Sequence, residues 1–155
     1  MRCGSGVQLK EVLHLVIPKG YFPPVLPGTK YVTVGGAIAA DIHGKNHHRE
    51  GSFCQHVSAL TLLLANGELI SCSESENKEL FFATCGGMGL TGIILDATFG
   101  LKKVPSASIN QRTQAAQNLD ECMDIFDSAE ASEYSVAWID CLAPVSYTHL
   151  RAHET

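Results

Sequence analysis

The apolar positions change their period along the chain, and each period predicts an element. Leu9, Val12, Leu13 and Val16 recur at i, i+3, i+4 and i+7, the spacing that lines one face of a helix. Ser5, followed three residues later by Gln8, has the form of a capping box for that helix, and Pro18 and Gly20 end it. Residues 21–28 hold Pro23, Pro24, Pro27 and Gly28, which fix φ and remove donors, so an extended or turning connector follows. Residues 56–64 are mostly apolar and predict a buried strand. Asn66-Gly67 then supplies a two-residue turn, and residues 68–72 return as the partner strand. Asn77 is placed to cap a short helix carrying Leu80, Phe81 and Phe82, after which Gly86, Gly87, Gly89 and Gly92 form a loop feeding an apolar strand over 92–101.

At Pro105 and the polar stretch 106–117 the pattern changes, which predicts a boundary between one domain over 1–104 and the start of another over 105–144. Asn118 with Glu121 starts a second helix, whose Leu119, Cys122, Met123 and Phe126 share a face; Tyr134, Val136 and Trp138 then alternate as in a strand. Residues 145–155 show neither periodicity nor turn logic. They resemble a translated sequencing adaptor, so they are left out of the expected fold, and the natural protein is expected to continue past them.

Composition narrows the function classes. With 45% hydrophobic and 17% charged residues the chain can bury a core. A net charge of −5 with scattered Lys and Arg lacks the footprint of a phosphate-backbone binder, so nucleic acid is not an expected partner. Apolar runs are too short to span a bilayer and no charged-then-apolar leader opens the chain, so a cytoplasmic setting is expected. The 6 cysteines include no CxxC pair and read as reduced, mostly buried thiols; Cys54 and Cys85 lack any protease pattern and are assigned the same structural role.

Candidate chemistry concentrates in two stretches. Gly35, Gly36, Ala37, Ala39 and Ala40 let a backbone approach a ligand closely, and the polar run Asp41, His43, Gly44, Lys45, Asn46, His47, His48 follows directly. Exposed N–H groups there could bind an anion, with a neighbouring His or Lys holding developing charge; a tightly packed turn is the bland alternative. His43, His47 and His48 also suggest a metal module, but Gly44 and Asn46 disfavour the helix that would align them, and no metal ligand is assigned. His14 and His56 read as ordinary satisfied polar residues. The second stretch, from Gly86 to Ile94, runs from helix through loop to strand, the reverse of a dinucleotide fingerprint, so a Rossmann domain is disfavoured.

Together these residues resemble the flavin-dependent oxidases of the vanillyl-alcohol oxidase and p-cresol methylhydroxylase (PCMH) type. Within that family the resemblance is to the decaprenylphosphoryl-ribose 2′-oxidase group, with sugar-lactone oxidases near by. It is carried by Val25-Leu26-Pro27-Gly28-Thr29, the run from Thr33 to Ala39, Asp41-Ile42-His43-Gly44-Lys45-Asn46-His47-His48, Gly51-Ser52-Phe53, and the segments around Glu79-Leu80-Phe81 and Gly86 to Ile94, with a weaker segment over 134–140.

The resemblance implies an α+β chain: the second subdomain of a PCMH-type FAD domain plus the start of a substrate (cap) domain. It further implies that FAD is the cofactor, lined by Gly28, Thr33, Val34, Gly35, Gly36, Ala40, Asp41, Ile42, His43 and Ile94. His43 is then expected to orient flavin or substrate, and Lys45 to face the substrate pocket. The reaction implied is oxidation of a sugar CH–OH by hydride transfer to flavin, on a small-molecule or lipid-linked sugar. A lipid-linked substrate would bring the parent protein to a membrane surface, with a reductase as partner for epimerisation. A catalytically silent fragment of the fold and a His-cluster metal module stand as alternatives.

Overall fold

The computed structural model describes residues 1–139 with their side chains and the backbone of Thr148–Glu154. The chain divides into two compact units, Met1–Pro105 and Ser106–Thr155.

In the first unit β1 (Arg2–Gly4) leads to α1 (Leu9–Val16), whose Leu9, Val12, Leu13 and Val16 are buried as the period requires. The cap differs from expectation. Gln8 is the N-cap, and its box partner is Glu11, whose Oε2 accepts the Gln8 amide at 2.9 Å. Ser5 lies too early to cap and instead accepts the Gly35 amide on its carbonyl at 2.8 Å. A 3-10 turn over Ile17–Lys19 with Pro18 at its start closes at Gly20, whose φ of 75° lets the chain reverse into β2 (Tyr21–Phe22). After the proline-rich connector come α2 (Val34–Ala39) and α3 (His47–Glu50). A 3-10 turn over Phe53–His56 then feeds β3 (Val57–Leu63) and β4 (Leu69–Ser73). The unit ends with α4 (Lys78–Thr84), β5 (Ile93–Phe99) and β6 (Lys102–Lys103).

The sheet order is β1-β5-β3-β4, every neighbour antiparallel, and β2 pairs with β6 apart from it. One core joins α1, α2 and the sheet. Leu9, Val12, Val34, Ile38, Leu62 and Phe99 are among its nearly sealed members. The β3–β4 connection corrects the expected two-residue turn. Leu64 donates to Glu68 at 2.9 Å and Gly67 to Leu64 at 3.0 Å, which closes a longer loop, and of Asn66 and Gly67 only Gly67 takes positive φ, at 84°. This is the turn-plus-bulge form of a hairpin, set by the pairing of Leu64 with Glu68. Asn77 precedes α4 as expected but takes φ 49°, and its side-chain amide donates to Ser71 O at 2.8 Å rather than capping the helix.

In the second unit β7 (Asn110–Ala116), α5 (Leu119–Ser128), β8 (Tyr134–Ile139) and β9 (Thr148–Glu154) form an antiparallel sheet in the order β7-β9-β8 with the helix against it. Asn118 caps α5 as predicted, its side chain accepting the Glu121 amide at 2.8 Å. Two expectations change. Leu119 and Met123, placed on the apolar face by period, are exposed, while Cys122 is buried with Ala116. The tail, left out of the expected fold, supplies the backbone of the middle strand β9. Asp140 and Cys141 lie outside the described residues. Among those residues no helix is long and apolar enough to cross a membrane.

Candidate functional site

The small-residue run forms α2 rather than a turn, because Thr33 caps it: Thr33 Oγ1 accepts the Gly36 amide at 3.1 Å. The other first-turn amides are also used internally. Val34 N–H donates to Val7 O and Gly35 N–H to Ser5 O, both at 2.8 Å. Two of these amides therefore stitch α2 to residues 5–7 and the third is held by the Thr33 cap, and the surface left for a ligand is the bare backbone of Gly36 and the methyl of Ala40, both exposed. Val34 itself is sealed in the core.

Two kinds of glycine separate here. A Cβ on Gly35 would lie 2.9 Å from Ser5 Cβ, and one on Gly44 would lie 2.7 Å from both Asn46 Oδ1 and Leu26 O, so packing inside the chain forbids side chains there. Gly28 is different: a Cβ there would meet nothing within 4 Å. The fold does not need glycine at Gly28.

Past α2 the chain turns at Asp41, which takes φ 41° and whose Oδ1 accepts the Cys54 amide at 2.9 Å. Ile42 O accepts the Phe53 amide at 2.8 Å and His43 bridges to Ser52, so residues 42–43 and 52–53 run side by side. Asn46 is fully buried, and its side-chain amide donates to Pro24 O at 2.8 Å, which fastens the polar run to the proline-rich connector and brings residues 24–26 against 44–46. With Gly44 and Asn46 buried, His43 and Lys45 are left exposed on the alternate positions. His47 begins the four-residue α3, so His43 does not share a helix with it; their rings meet edge to face with centroids 5.4 Å apart. Among the described residues no group of three His, Cys, Asp or Glu could hold a metal.

The second glycine-rich stretch clasps the C-terminal end of α2. Gly86 N–H donates to Ile38 O at 3.0 Å and Met88 N–H to Ala39 O at 2.8 Å. Gly86 takes φ 74°, and a Cβ on Gly87 would lie 2.1 Å from Ala83 O in α4, so both positions require glycine for the chain to leave α4 this tightly. Ile94, seven per cent exposed, pairs with Leu62 inside the core, apart from the exposed candidates. The structure thus gathers Thr33, Gly35, Gly36, Ala40, Asp41, Ile42 and His43 along one helix and its exit, with Gly28 and Lys45 on flanking segments. Cys54 and Cys85, expected to be buried, are half-buried, and Cys54 Sγ donates to Ile38 O at 3.4 Å.

A bare helix flank, an unneeded glycine at Gly28, and a polar rim of Asp41, His43 and Lys45 suit a flat ring system with polar edges, so the residues present fit a flavin. Comparisons with known proteins agree. Residues 1–73 match the family model described as FAD binding domain. The chain is 45% identical over 142 residues to decaprenylphosphoryl-beta-D-ribose oxidase of Mycolicibacterium smegmatis, covering 90% of this chain and 31% of that protein. It is 40% identical over 131 residues to L-gulonolactone oxidase of Bos taurus, covering 84% and 29%, and 31% identical over 135 residues to D-arabinono-1,4-lactone oxidase of Yarrowia lipolytica, covering 86% and 25%. The chain therefore spans a third or less of the length of these three relatives. Residues 1–73, just under half of the chain, are thus similar to the FAD binding domain family, and FAD is the cofactor that such a domain takes.

Proposed function

We propose that this chain is part of an FAD-dependent oxidoreductase that oxidises the CH–OH carbon of a sugar, with polyprenyl-phosphoribose oxidised at its 2′ position as the first candidate and sugar lactones as the second. The observation that carries the reading is the exposed face of α2 at Gly36 and Ala40, together with Gly28, where a Cβ would meet nothing within 4 Å. In this reading residues 1–104 are the later part of the FAD domain, 105–144 begin the substrate domain, and 145–155 derive from an adaptor. When bound, the flavin would supply the hydride acceptor for this oxidation.

The chain's own residues bind and orient. Gly28, Gly36 and Ala40 give the ring its close approach, with Thr33, Val34 and Gly35 holding α2 in place from behind. Asp41 and Ile42 set the direction in which His43 leaves the helix, because both are tied to residues 53–54. His43 fixes the hydroxyl or the ring edge through an imidazole nitrogen, and Lys45 presents positive charge to the phosphate end of a lipid-linked sugar. Ile94 supports the nucleotide end from the core. A lipid-linked substrate would hold the complete protein at a membrane surface, and a ketone product would call for a reductase to complete epimerisation.

The test uses the complete protein, with flavin content read by absorbance and flavin bleaching followed under each candidate substrate. His43→Ala is expected to slow bleaching by about 10²-fold with flavin still bound, as a misplaced reacting group does. Gly36→Leu is expected to empty the site of flavin. Unchanged flavin content and bleaching in both variants would remove the site assignment, and bleaching by a lactone alone would reassign the substrate.

A further inference from the structure

Two lysines and a tyrosine meet where the proline-rich connector passes the start of α1. Residues 30–32 run beside the first turn of that helix: the Leu9 amide donates to Val32 O at 2.9 Å and the Lys10 amide to Lys30 O at 2.8 Å. This backbone pairing brings three side chains to one surface. Lys10 Nζ stands 5.7 Å and Lys30 Nζ 5.8 Å from the centroid of the Tyr31 ring, so one ring gathers both ammonium groups. Tyr31 is 62% exposed. Among the described residues neither lysine has an ion-pair partner. Along the same side of α1, Lys10, Glu11, His14 and Leu15 line a hollow of about 380 Å³. Its one carboxylate, Glu11, is held by the Gln8 amide at 2.9 Å, and Leu15 is 50% exposed although the helix already buries Leu9, Val12, Leu13 and Val16.

We propose that this face of the first unit, centred on Lys10, Lys30 and Tyr31, docks on the headgroup layer of an anionic phospholipid bilayer. The chain as a whole carries a net charge of −5, so its overall field repels such a surface and attraction has to come from a local excess of positive charge. Lys10 and Lys30 supply that excess, and because one ring holds both, neighbouring lipid phosphates can neutralise them together. Tyr31 is the kind of side chain that rests at headgroup depth, with its ring against the apolar layer and its hydroxyl in water. Leu15 adds an aliphatic contact beside it. A nucleic acid or an acidic peptide would engage the lysines alone, whereas a bilayer engages the charge and the exposed apolar groups at once. Neither the lysines nor the ring belongs to the flank of α2, so this docking is separate from the flavin and sugar chemistry proposed above.

The experiment floats the full chain with vesicles of phosphatidylcholine alone and with vesicles of phosphatidylcholine and phosphatidylglycerol in equal parts. Co-flotation is expected with the anionic vesicles only, and it should fade as salt is raised, because exposed charges are screened. Lys10→Ala and Lys30→Ala should each lower the partition coefficient about fivefold. Tyr31→Ala should weaken binding while leaving its salt dependence unchanged. Lys103→Ala, an exposed lysine on β6 outside this face, is the control and should change nothing. Circular dichroism checks that each variant keeps its fold. Absence of flotation with anionic vesicles, equal flotation with both kinds, or an equal loss in the Lys103 control would overturn the proposal. Release from the vesicles by inorganic phosphate at constant ionic strength would assign the lysines to a soluble phosphate ligand and overturn it too.

Discussion

A Cβ at Gly44 would press on Leu26 O, a backbone atom, and on Asn46 Oδ1, each at 2.7 Å, so neither neighbour can give way cheaply. Gly44→Ala is therefore expected to cost about 1–3 kcal/mol, the usual range for overpacking a well-packed site, read by urea unfolding. Gly28→Ala makes the opposite test: with nothing within 4 Å, it should leave stability equal or raise it by up to about 1 kcal/mol while lowering flavin content in the complete protein. Loss of stability at Gly28 would show that the fold needs that glycine after all. Sequence alone marks both as glycines of one motif. What separates them is the approach of residues 24–26 to 44–46, a contact made by the buried Asn46 amide on Pro24 O.

At the scale of the element, caps and turns divide into those that local chemistry fixes and those that pairing fixes. Asn118 is of the first kind: its side chain accepts the Glu121 amide, as the spacing predicts. Asn118→Ala should lower the stability of the second unit by about 1 kcal/mol, measured as a shift in its denaturant midpoint. The β3–β4 hairpin is of the second kind. Asn66-Gly67 announces a reversal, but the turn form depends on Leu64 meeting Glu68, which the core side of β3 decides. Gly67 alone carries the left-handed conformation, so Gly67→Ala should cost about 1–2 kcal/mol, whereas Asn66→Ala should cost less. Equal losses would indicate the two-residue turn instead. The helix at Leu9–Val16 is legible in its period and not in its cap, because Ser5 is claimed by Gly35 from across the unit.

Across the whole molecule, Arg2 on β1 holds Asp96 on β5 through bonds of 2.8 and 3.0 Å. This contact with Arg2 keeps the Asp96 carboxyl below its ordinary range. A carboxylate depressed in the folded state contributes fully above its unfolded value and loses that contribution as pH falls through the folded one. Arg2→Gln should therefore lower stability at neutral pH and converge with the parent chain in acid, once the carboxyl is protonated in both, as followed by unfolding midpoints across the pH range. A gap that persists in acid would mean the pair acts through packing alone. The change of character near Pro105 is legible in composition; the strand at Thr148–Glu154 is not, since only Leu150 and Ala152 alternate with its polar residues, too short a run to announce a strand. The first unit has its own core, so a chain ending at Pro105 should still unfold in one cooperative step, monitored by circular dichroism.

The order β1-β5-β3-β4 places the earliest strand beside one of the latest, Arg2 opposite Thr98. During synthesis β3 and β4 can pair as soon as both emerge, whereas the β1–β5 pairing waits until β5 has cleared the ribosome. The closing of this sheet is therefore timed by β5, its last long strand, which must arrive between β1 and β3.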